Sequence, residues 1–129
     1  MERLSVTRTN RQRLGDAGER LARRHLEDLG YAFIAANWTC PSGELDLVMR
    51  DGDIIVFVEV KTRRGEHLGT AEESVTAVKS GRLLRSAEIY FSSRPELADL
   101  FWRIDVIAVT LLPTGAVGRF THMINAVQA

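Results

Sequence analysis

Alternating apolar and polar residues between positions 43 and 64 predict a β-hairpin. The dipeptide Asp51-Gly52 separates two apolar runs, and both of its residues tolerate a positive φ, which is a strong local signal for a hairpin turn. With this dipeptide as the turn, we expect Asp46 to lie opposite Phe57 on the neighbouring strand.

The two faces of this hairpin differ in character, because successive side chains of a strand point to opposite faces. One face is entirely apolar and is expected to be core; it carries Leu45, Leu47, Met49, Ile54, Val56, Val58 and Val60. On the other face, charged residues converge at the end of the hairpin away from the turn. These residues are Glu44, Asp46, Glu59 and Lys61. The expected pairing sets Glu44 opposite Glu59, and opposed like charges destabilise a sheet by up to about 1 kcal/mol. A divalent cation would offset this repulsion, since Mg²⁺ and Mn²⁺ take carboxylate oxygens as ligands.

Hydrophobic periodicity predicts the other elements. Apolar residues recur at helical spacing up to Leu29, and Gly30 is a typical C-terminal stop. The pattern predicts helices over 13–29 and 77–91, the second with Thr76 as N-cap, and strands over 31–37, 102–112 and 119–127. This order predicts the α/β class, with a mixed five-stranded sheet flanked by helices.

Length and charge narrow the possibilities. The 129 residues suit one domain, residues 13–129, preceded by a flexible basic arm over residues 1–12. Seventeen basic and seventeen acidic residues give no net charge, so any nucleic-acid surface must be local. The single cysteine, Cys40, excludes an intramolecular disulfide. Without an apolar run of about 20 residues or an apolar N-terminus, we expect a cytoplasmic protein with no membrane partner.

The charged end of the hairpin has residues that suit phosphodiester hydrolysis. Glu59 and Lys61 share one face of a strand, with Cα atoms about 6.6 Å apart. Asp46 and Glu59 would hold Mg²⁺ or Mn²⁺, which polarises a phosphate and lowers the pKa of a bound water, while Lys61 stabilises the developing charge. The same E-x-K pattern also occurs on solvated strands, and that alternative stays open.

Further candidates depend on their neighbours. Glu19 lies on the flank of the first helix's apolar stripe, where it either pairs with Arg23 or points into a site. Basic residues expected to border the site and contact nucleic acid are Arg23, Arg63, Arg64 and Lys79. Arg20, Arg24, Arg82 and Arg85 lie on the same bordering segments, but for any one of them a role in coating the helix surface is favoured.

The histidines and aromatic residues are ambiguous. His25, His67 and His122 share no metal-ligand spacing and are expected to be surface or packing residues. Trp38 and Trp102 could stack on bases but are more typical of core positions. Asp105 is either buried with an arginine or turned to solvent.

Several motifs resemble a known group of proteins. Glu19, Asp46, Glu59 and Lys61 are similar to the acidic residues and lysine of PD-(D/E)xK nucleases. More closely, five segments resemble the YraN-like family of small bacterial proteins: 15–22 (GDAGERLA), 37–48 (NWTCPSGELDLV), 57–63 (FVEVKTR), 69–79 (GTAEESVTAVK) and 103–109 (RIDVIAV). The nuclease motif has a proline before its first acid, where this chain has Leu45.

The resemblance implies a restriction-endonuclease-like fold similar to archaeal Holliday junction resolvases. It also implies a nuclease activity and a metal-site role for Glu19. Our sequence-based hypothesis is therefore a metal-dependent nuclease acting on DNA, including branched or structured DNA, and acting as a homodimer as resolvases do. The alternative is a nucleic-acid-binding protein that retains the fold without catalysis.

Overall fold

The computed structural model describes residues 9–65 and 77–128. The elements are α1 (Asn10–Asp28), β1 (Ala32–Cys40), β2 (Gly43–Asp51), β3 (Ile54–Arg64), α2 (Ala77–Ser92), β4 (Phe101–Leu111) and β5 (Val117–Val127). The predicted order of helices and strands is confirmed in these ranges. Within them, no helix is long and apolar enough to cross a membrane. Predictions for Thr76, His67 and the arm's residues 1–8 concern positions outside the described residues.

The five strands form one mixed sheet in the order β1-β2-β3-β4-β5. Neighbours are antiparallel except β3 and β4, which run parallel. Parallel neighbours need a crossover connection, and α2 lies in the segment that joins them. The predicted α/β class with a mixed five-stranded sheet is confirmed.

The first helix begins earlier than predicted. Thr9 is its N-cap: the Thr9 hydroxyl accepts a hydrogen bond from the Gln12 amide, and the Gln12 side chain accepts one from the Thr9 amide. This reciprocal capping box starts the helix at Asn10. The proposed flexible arm over residues 1–12 was therefore wrong for residues 10–12, which are helical.

The register of the β2–β3 hairpin also differs from the prediction. Phe57 lies opposite Val48 instead of Asp46, and Asp51 lies opposite Ile54. The reason is the turn: Gly52 has a φ of 61° and is its first central residue, so Gly52-Asp53 forms the turn. Each residue of β2 therefore pairs with a β3 residue two positions later than predicted. A shift of two residues leaves each side chain on the same face of the sheet.

The sheet buries a separate apolar cluster on each face. The α1-side core contains Ala22, Leu26, Leu47, Met49, Val56, Val58, Val60, Ile107, Val109 and Leu111. The α2-side core contains Leu45, Val48, Ile55, Phe57, Leu83, Ala87, Tyr90, Leu97, Ile104, Val106 and Val127. The prediction that Leu45 shares a face with Leu47 was wrong, because regular pairing of β2 with β3 stops at Leu47 and strict alternation is lost beyond it.

Close packing at one glycine sets α1 on the sheet. Gly18 is buried against β3, where a methyl group in place of its hydrogen would overlap the Thr62 hydroxyl and crowd the Thr62 Cβ. Only glycine allows this approach of helix to strand. The contact fixes the height of the neighbouring Glu19 above the sheet.

We expect Gly18→Ala to destabilise the protein by about 1–3 kcal/mol, because the added methyl forces α1 away from β3. Urea unfolding measures the change. Gly15→Ala is the matched control: it lies in the same helix, its added methyl would meet no atom within 4 Å, and it should stabilise by about 0.5–1 kcal/mol. Equal stability of Gly18→Ala and the parent would contradict the packing described here.

Candidate metal centre

Four carboxylates from three elements meet at one end of the hairpin. We call Glu19 of α1, Glu44 and Asp46 of β2 and Glu59 of β3 the acidic cluster. One carboxylate oxygen each from Glu19, Glu44 and Asp46 lie within 4.8 Å of one another. The Asp46 and Glu59 carboxyls are close enough to hydrogen bond when one is protonated. The structure thus brings together all four acids that the sequence singled out.

Asp46 is held by the backbone of the next strand. Its Oδ2 accepts a 2.8 Å hydrogen bond from the Val60 amide, just beyond the last regular β2–β3 pair, Leu47 with Val58. The corrected register places Asp46 beside Val60 and Glu59. A carboxylate in this position satisfies a strand amide and remains next to the other acids.

Asn37 bridges two of the carboxylates and was not predicted as a site residue. With its amide nitrogen turned toward the cluster, Asn37 donates to Glu19 Oε1 and Glu44 Oε1, both at 3.2 Å. Its backbone has a φ of 53°, a region that asparagine adopts more readily than most residues. Asn37 opens one of the motifs quoted above, but the pattern alone did not indicate its role.

Glu19 does not form the alternative pair with Arg23. The Arg23 Nε lies 3.3 Å from Glu27 Oε1, and its guanidinium lies 3.5 Å from the centre of the Phe33 ring. Glu19 instead takes its hydrogen bond from Asn37. Arg23 therefore belongs to the outer surface of α1, and its predicted contact with nucleic acid remains a proposal.

Burial and mutual repulsion raise the pKa of three acids in the cluster. Burial and the charge of Asp46 raise the pKa of Glu19 to about 7. Burial raises the pKa of Asp46 to about 6, and burial with the Asp46 charge raises that of Glu59 to about 8. The cluster therefore keeps protons near neutral pH that a divalent cation would displace.

Two lysines flank the acids. The Lys61 Nζ lies 3.9 Å from Glu59 Oε1, and both side chains are mostly buried. Lys79 of α2 lies beside Lys61; burial and that neighbouring charge lower the pKa of Lys79, while Glu59 and Asp46 oppose the shift. Lys79, predicted as a nucleic-acid contact, is thus part of the site itself.

An open cavity of about 260 Å³ reaches three of the acids and Lys79, whereas Glu19 and Lys61 are not among its lining residues. Its lining residues are Gly43, Glu44, Asp46, Glu59, Lys79, Arg82 and Leu83. Arg82 lies on a segment expected to border the site, although surface coating was the favoured interpretation for it, and it is one of the residues that line this cavity. Carboxylate oxygens at one end of a space of this size suit a hard divalent cation and a phosphate group.

The other predicted basic residues lie further along β3. Arg63 is half-buried and follows Lys61 by the two-residue period of a strand. Arg64 donates to the Pro113 carbonyl at 3.2 Å and lines a separate cavity of about 660 Å³ with Arg11 and Arg13.

The residues left ambiguous by the sequence are mostly packed. The Trp38 ring lies 5.1 Å from Tyr90, and the Trp102 ring lies 5.7 Å from Phe57, both measured between ring centroids. Both tryptophans pack against the α2-side core, which favours the core alternative. Asp105 is fully buried and paired with Arg103.

Comparison with known proteins places this geometry in a family. The family model described as "Uncharacterised protein family UPF0102" matches residues 18–109, which include the whole acidic cluster and both lysines. The chain belongs to UPF0102. The resemblance to the YraN-like proteins, which form this family, is thereby confirmed.

Relatives in UPF0102 match over nearly their full length. A UPF0102 protein of Chloroflexus aurantiacus is 47% identical over 119 residues, 92% of this chain and 96% of its own. One from Ectopseudomonas mendocina is 48% identical over 116 residues, 90% of this chain and 95% of its own. One from Pelotomaculum thermopropionicum is 44% identical and covers 90% of this chain and 96% of its own.

Without metal, this UPF0102 protein should lose stability as pH rises from 6.5 to 8.5. The raised pKa values mean that folded Glu19 and Glu59 keep protons that the unfolded chain has already released. Rising pH removes these protons and lowers the free energy of unfolding by on the order of 2 kcal/mol. Thermal melting in the presence of a chelator, at pH steps across this window, measures the effect.

The lower limit of the window avoids the contribution of His25, which has the opposite sign. The pKa of His25 is lowered by burial from 6.5, so its contribution to stability is lost only as pH falls below 6.5. Glu59→Gln, which has no titrating group at that position, should show a smaller decline than the parent. A melting temperature that rises with pH in the parent would refute the raised acid pKa values.

Proposed function

We propose that this protein is a metal-dependent nuclease that hydrolyses DNA phosphodiesters, with a restriction-endonuclease-like fold. The observation that carries the proposal is the acidic cluster, gathered from α1, β2 and β3 and flanked by Lys61 and Lys79 at an open cavity. Glu19, Asp46 and Glu59 are partly buried, and neighbouring carboxylates in such a position favour either a proton or a cation that offsets their repulsion.

The arrangement also supports the proposed fold. An acid on one strand, E-x-K on the next strand and a glutamate from the first helix are the parts that the sequence resemblance implied. Here these parts are Asp46 on β2, Glu59 and Lys61 on β3, and Glu19 on α1. The mixed sheet with helices on both faces is compatible with that fold.

The cluster fits Mg²⁺ or Mn²⁺ in its donor chemistry. Asp46, Glu59 and Glu19 are the proposed ligands. Glu44 would offer a further oxygen, since one carboxylate oxygen each of Glu19, Glu44 and Asp46 lies within 4.8 Å of the others, and Glu59 lies beside Asp46. A bound ion would polarise the phosphate and lower the pKa of an adjacent water.

The chain's own groups prepare the site for a phosphate. The Val60 amide orients Asp46, and the Asn37 amide orients Glu19 and Glu44. The ammonium group of Lys61, beside Glu59, is placed to stabilise negative charge on a phosphoryl oxygen. Lys79 adds a second positive charge from α2, and Arg82 extends the positive lining of the cavity.

DNA is the proposed substrate because the cavity is open and Lys79 and Arg82 line it. The chain has no net charge, so this local positive charge is where a phosphate backbone would bind. Lys79, Arg82 and Arg63 would contact backbone phosphates near the cleavage position. Branched or structured DNA as the preferred form and a homodimer as the acting species are part of the same proposal.

Purified protein with Mg²⁺ or Mn²⁺ should cut at least one member of a panel of linear, single-stranded and junction DNA. Lys61→Ala should slow cleavage about 100-fold or more, because it removes charge stabilisation at the phosphoryl group. Asp46→Asn should abolish cleavage, whereas Glu27→Gln, which changes an exposed α1 carboxylate outside the cluster, should cut as the parent does. Cleavage by Asp46→Asn at the parental rate would end the catalytic proposal.

Mg²⁺ or Mn²⁺ should raise the melting temperature of the parent, because a ligand of the folded state stabilises it by about 2.7 kcal/mol at 100 times Kd. Thermal melting during a metal titration measures this shift. Asp46→Asn should lose most of it, and Glu27→Gln should retain it. The absence of any shift in the parent would argue that the acids do not form a cation site.

The non-catalytic alternative has a distinct signature in these experiments. A protein that only binds nucleic acid would show salt-dependent binding that survives Lys61→Ala, and it would cut no DNA in the panel.

A further inference from the structure

A second set of titratable side chains lies on the α1 side of the sheet, away from the acidic cluster. Its centre is Asp105 of β4, which is fully buried. Both Asp105 oxygens are used: Oδ1 accepts from Arg103 Nε and the Asn125 amide, each at 2.9 Å, and Oδ2 lies 2.8 Å from His122 Nε2. A second guanidinium nitrogen of Arg103 donates to the Tyr31 hydroxyl at 2.8 Å.

This network fixes the ring of His122 and leaves one of its nitrogens facing α1. Because Asp105 accepts the proton on Nε2, the lone pair of His122 Nδ1 is directed outward. The His25 Nε2 lies 3.2 Å from that Nδ1, and the two rings are nearly perpendicular. Phe120 packs against the His25 ring at 4.8 Å between centroids and limits its orientation.

The separation of the two histidine nitrogens matches that of adjacent ligands on a transition metal. Bonds of about 2.0–2.1 Å from one ion to both nitrogens, at the observed 3.2 Å separation, give an angle of about 100°, close to tetrahedral. Histidine ligands in metal sites commonly donate their other N–H to a carboxylate, and Asp105 accepts that N–H from His122. Both features would be present before any metal binds.

The surroundings allow an ion to enter and tolerate its charge. His122 is nearly buried, while His25 is partly exposed on the outer side, so water can reach the pair and complete the coordination. Burial and His122 lower the pKa of His25, and the charge of Asp28, one helical turn beyond, opposes that shift. The guanidinium of Arg103 donates to both carboxylate oxygens of Asp105, which neutralises its positive charge.

We propose that His25 and His122 form a second cation site, for ions that prefer imidazole ligands such as Zn²⁺, Ni²⁺, Co²⁺ or Cu²⁺. Imidazole nitrogen suits these ions, whereas the oxygen-only acidic cluster suits Mg²⁺ and Mn²⁺. When the ion binds, the proton that His25 Nε2 now donates to His122 Nδ1 would move to His25 Nδ1, so that both rings stay neutral, and the ion would link α1 to β5. The site does not depend on the proposed nuclease activity, since none of its residues belongs to the acidic cluster.

Titration with Ni²⁺ or Zn²⁺ tests the proposal by calorimetry and thermal melting. The Asp46→Asn/Glu59→Gln double variant is the background, so that the acidic cluster contributes little. We expect one equivalent of ion to bind and the melting temperature to rise by about 4 °C or more at tenfold excess over Kd. Mg²⁺ at the same concentration should produce no comparable rise in this background.

His25→Gln added to this background should weaken binding at least tenfold, and Glu27→Gln, at an exposed carboxylate of α1, should leave it unchanged. His122→Asn is the second ligand variant, and its circular dichroism without metal shows whether it folds. Unchanged affinity in His25→Gln, or no binding of Ni²⁺ and Zn²⁺ in the background, would overturn the proposal and leave only a hydrogen bond between the rings.

Discussion

The hydrogen bond from the Val60 amide to the Asp46 carboxylate is the contact on which the arrangement of the site depends. Regular pairing between β2 and β3 ends at Leu47 and Val58, so the Val60 amide would otherwise lack its neighbouring-strand acceptor. An amide left without an acceptor in a buried strand costs roughly 1–3 kcal/mol. Asp46 supplies the acceptor from its side chain. A requirement of the sheet therefore also places a carboxylate beside Glu59.

The acidic cluster has a neutral hydrogen-bond donor on one side and positively charged groups on the other. On the α1 side, the neutral amide of Asn37 holds Glu19 and Glu44 without cancelling any of their negative charge. On the α2 side, ammonium groups of Lys61 and Lys79 lie near Glu59. Negative charge is therefore left uncompensated near α1 and is partly balanced near α2. This asymmetry suits a cation at one side and an anionic group at the other.

Much of the fold could be predicted from local sequence. Period-two alternation identified both strands of the central hairpin, and the helices followed from their apolar stripes. The predicted register of the β2–β3 hairpin was wrong because Asp51-Gly52 and Gly52-Asp53 are both acceptable turns by residue type. Only the backbone shows which pair forms the turn, through the positive φ of Gly52. The capping box at Thr9 is visible in the sequence, but the basic composition of residues 1–12 led to the prediction of a flexible arm there.

The side chains that meet through tertiary contacts were harder to predict. Asn37 approaches Glu19 because α1 packs closely on β3 at Gly18, a contact that no spacing reveals. His25 and His122 are separated by 97 positions in the chain. They meet where β5 is irregular, close to Asn125, which has a φ of 53° and an amide that bonds to Asp105. Such irregular backbone leaves little trace in a pattern of apolar and polar residues.

The parallel pairing of β3 with β4 has a consequence for the growing chain during synthesis. All four acids of the cluster precede residue 60, whereas β4, which covers the second edge of β3, begins at Phe101. A nascent chain that has just completed β3 already carries every carboxylate but lacks β4 and also α2, whose residues line the cavity beside the acids. Its acids would ionise as ordinary surface groups do. Their pKa values would rise only once translation has delivered the second half of the sheet.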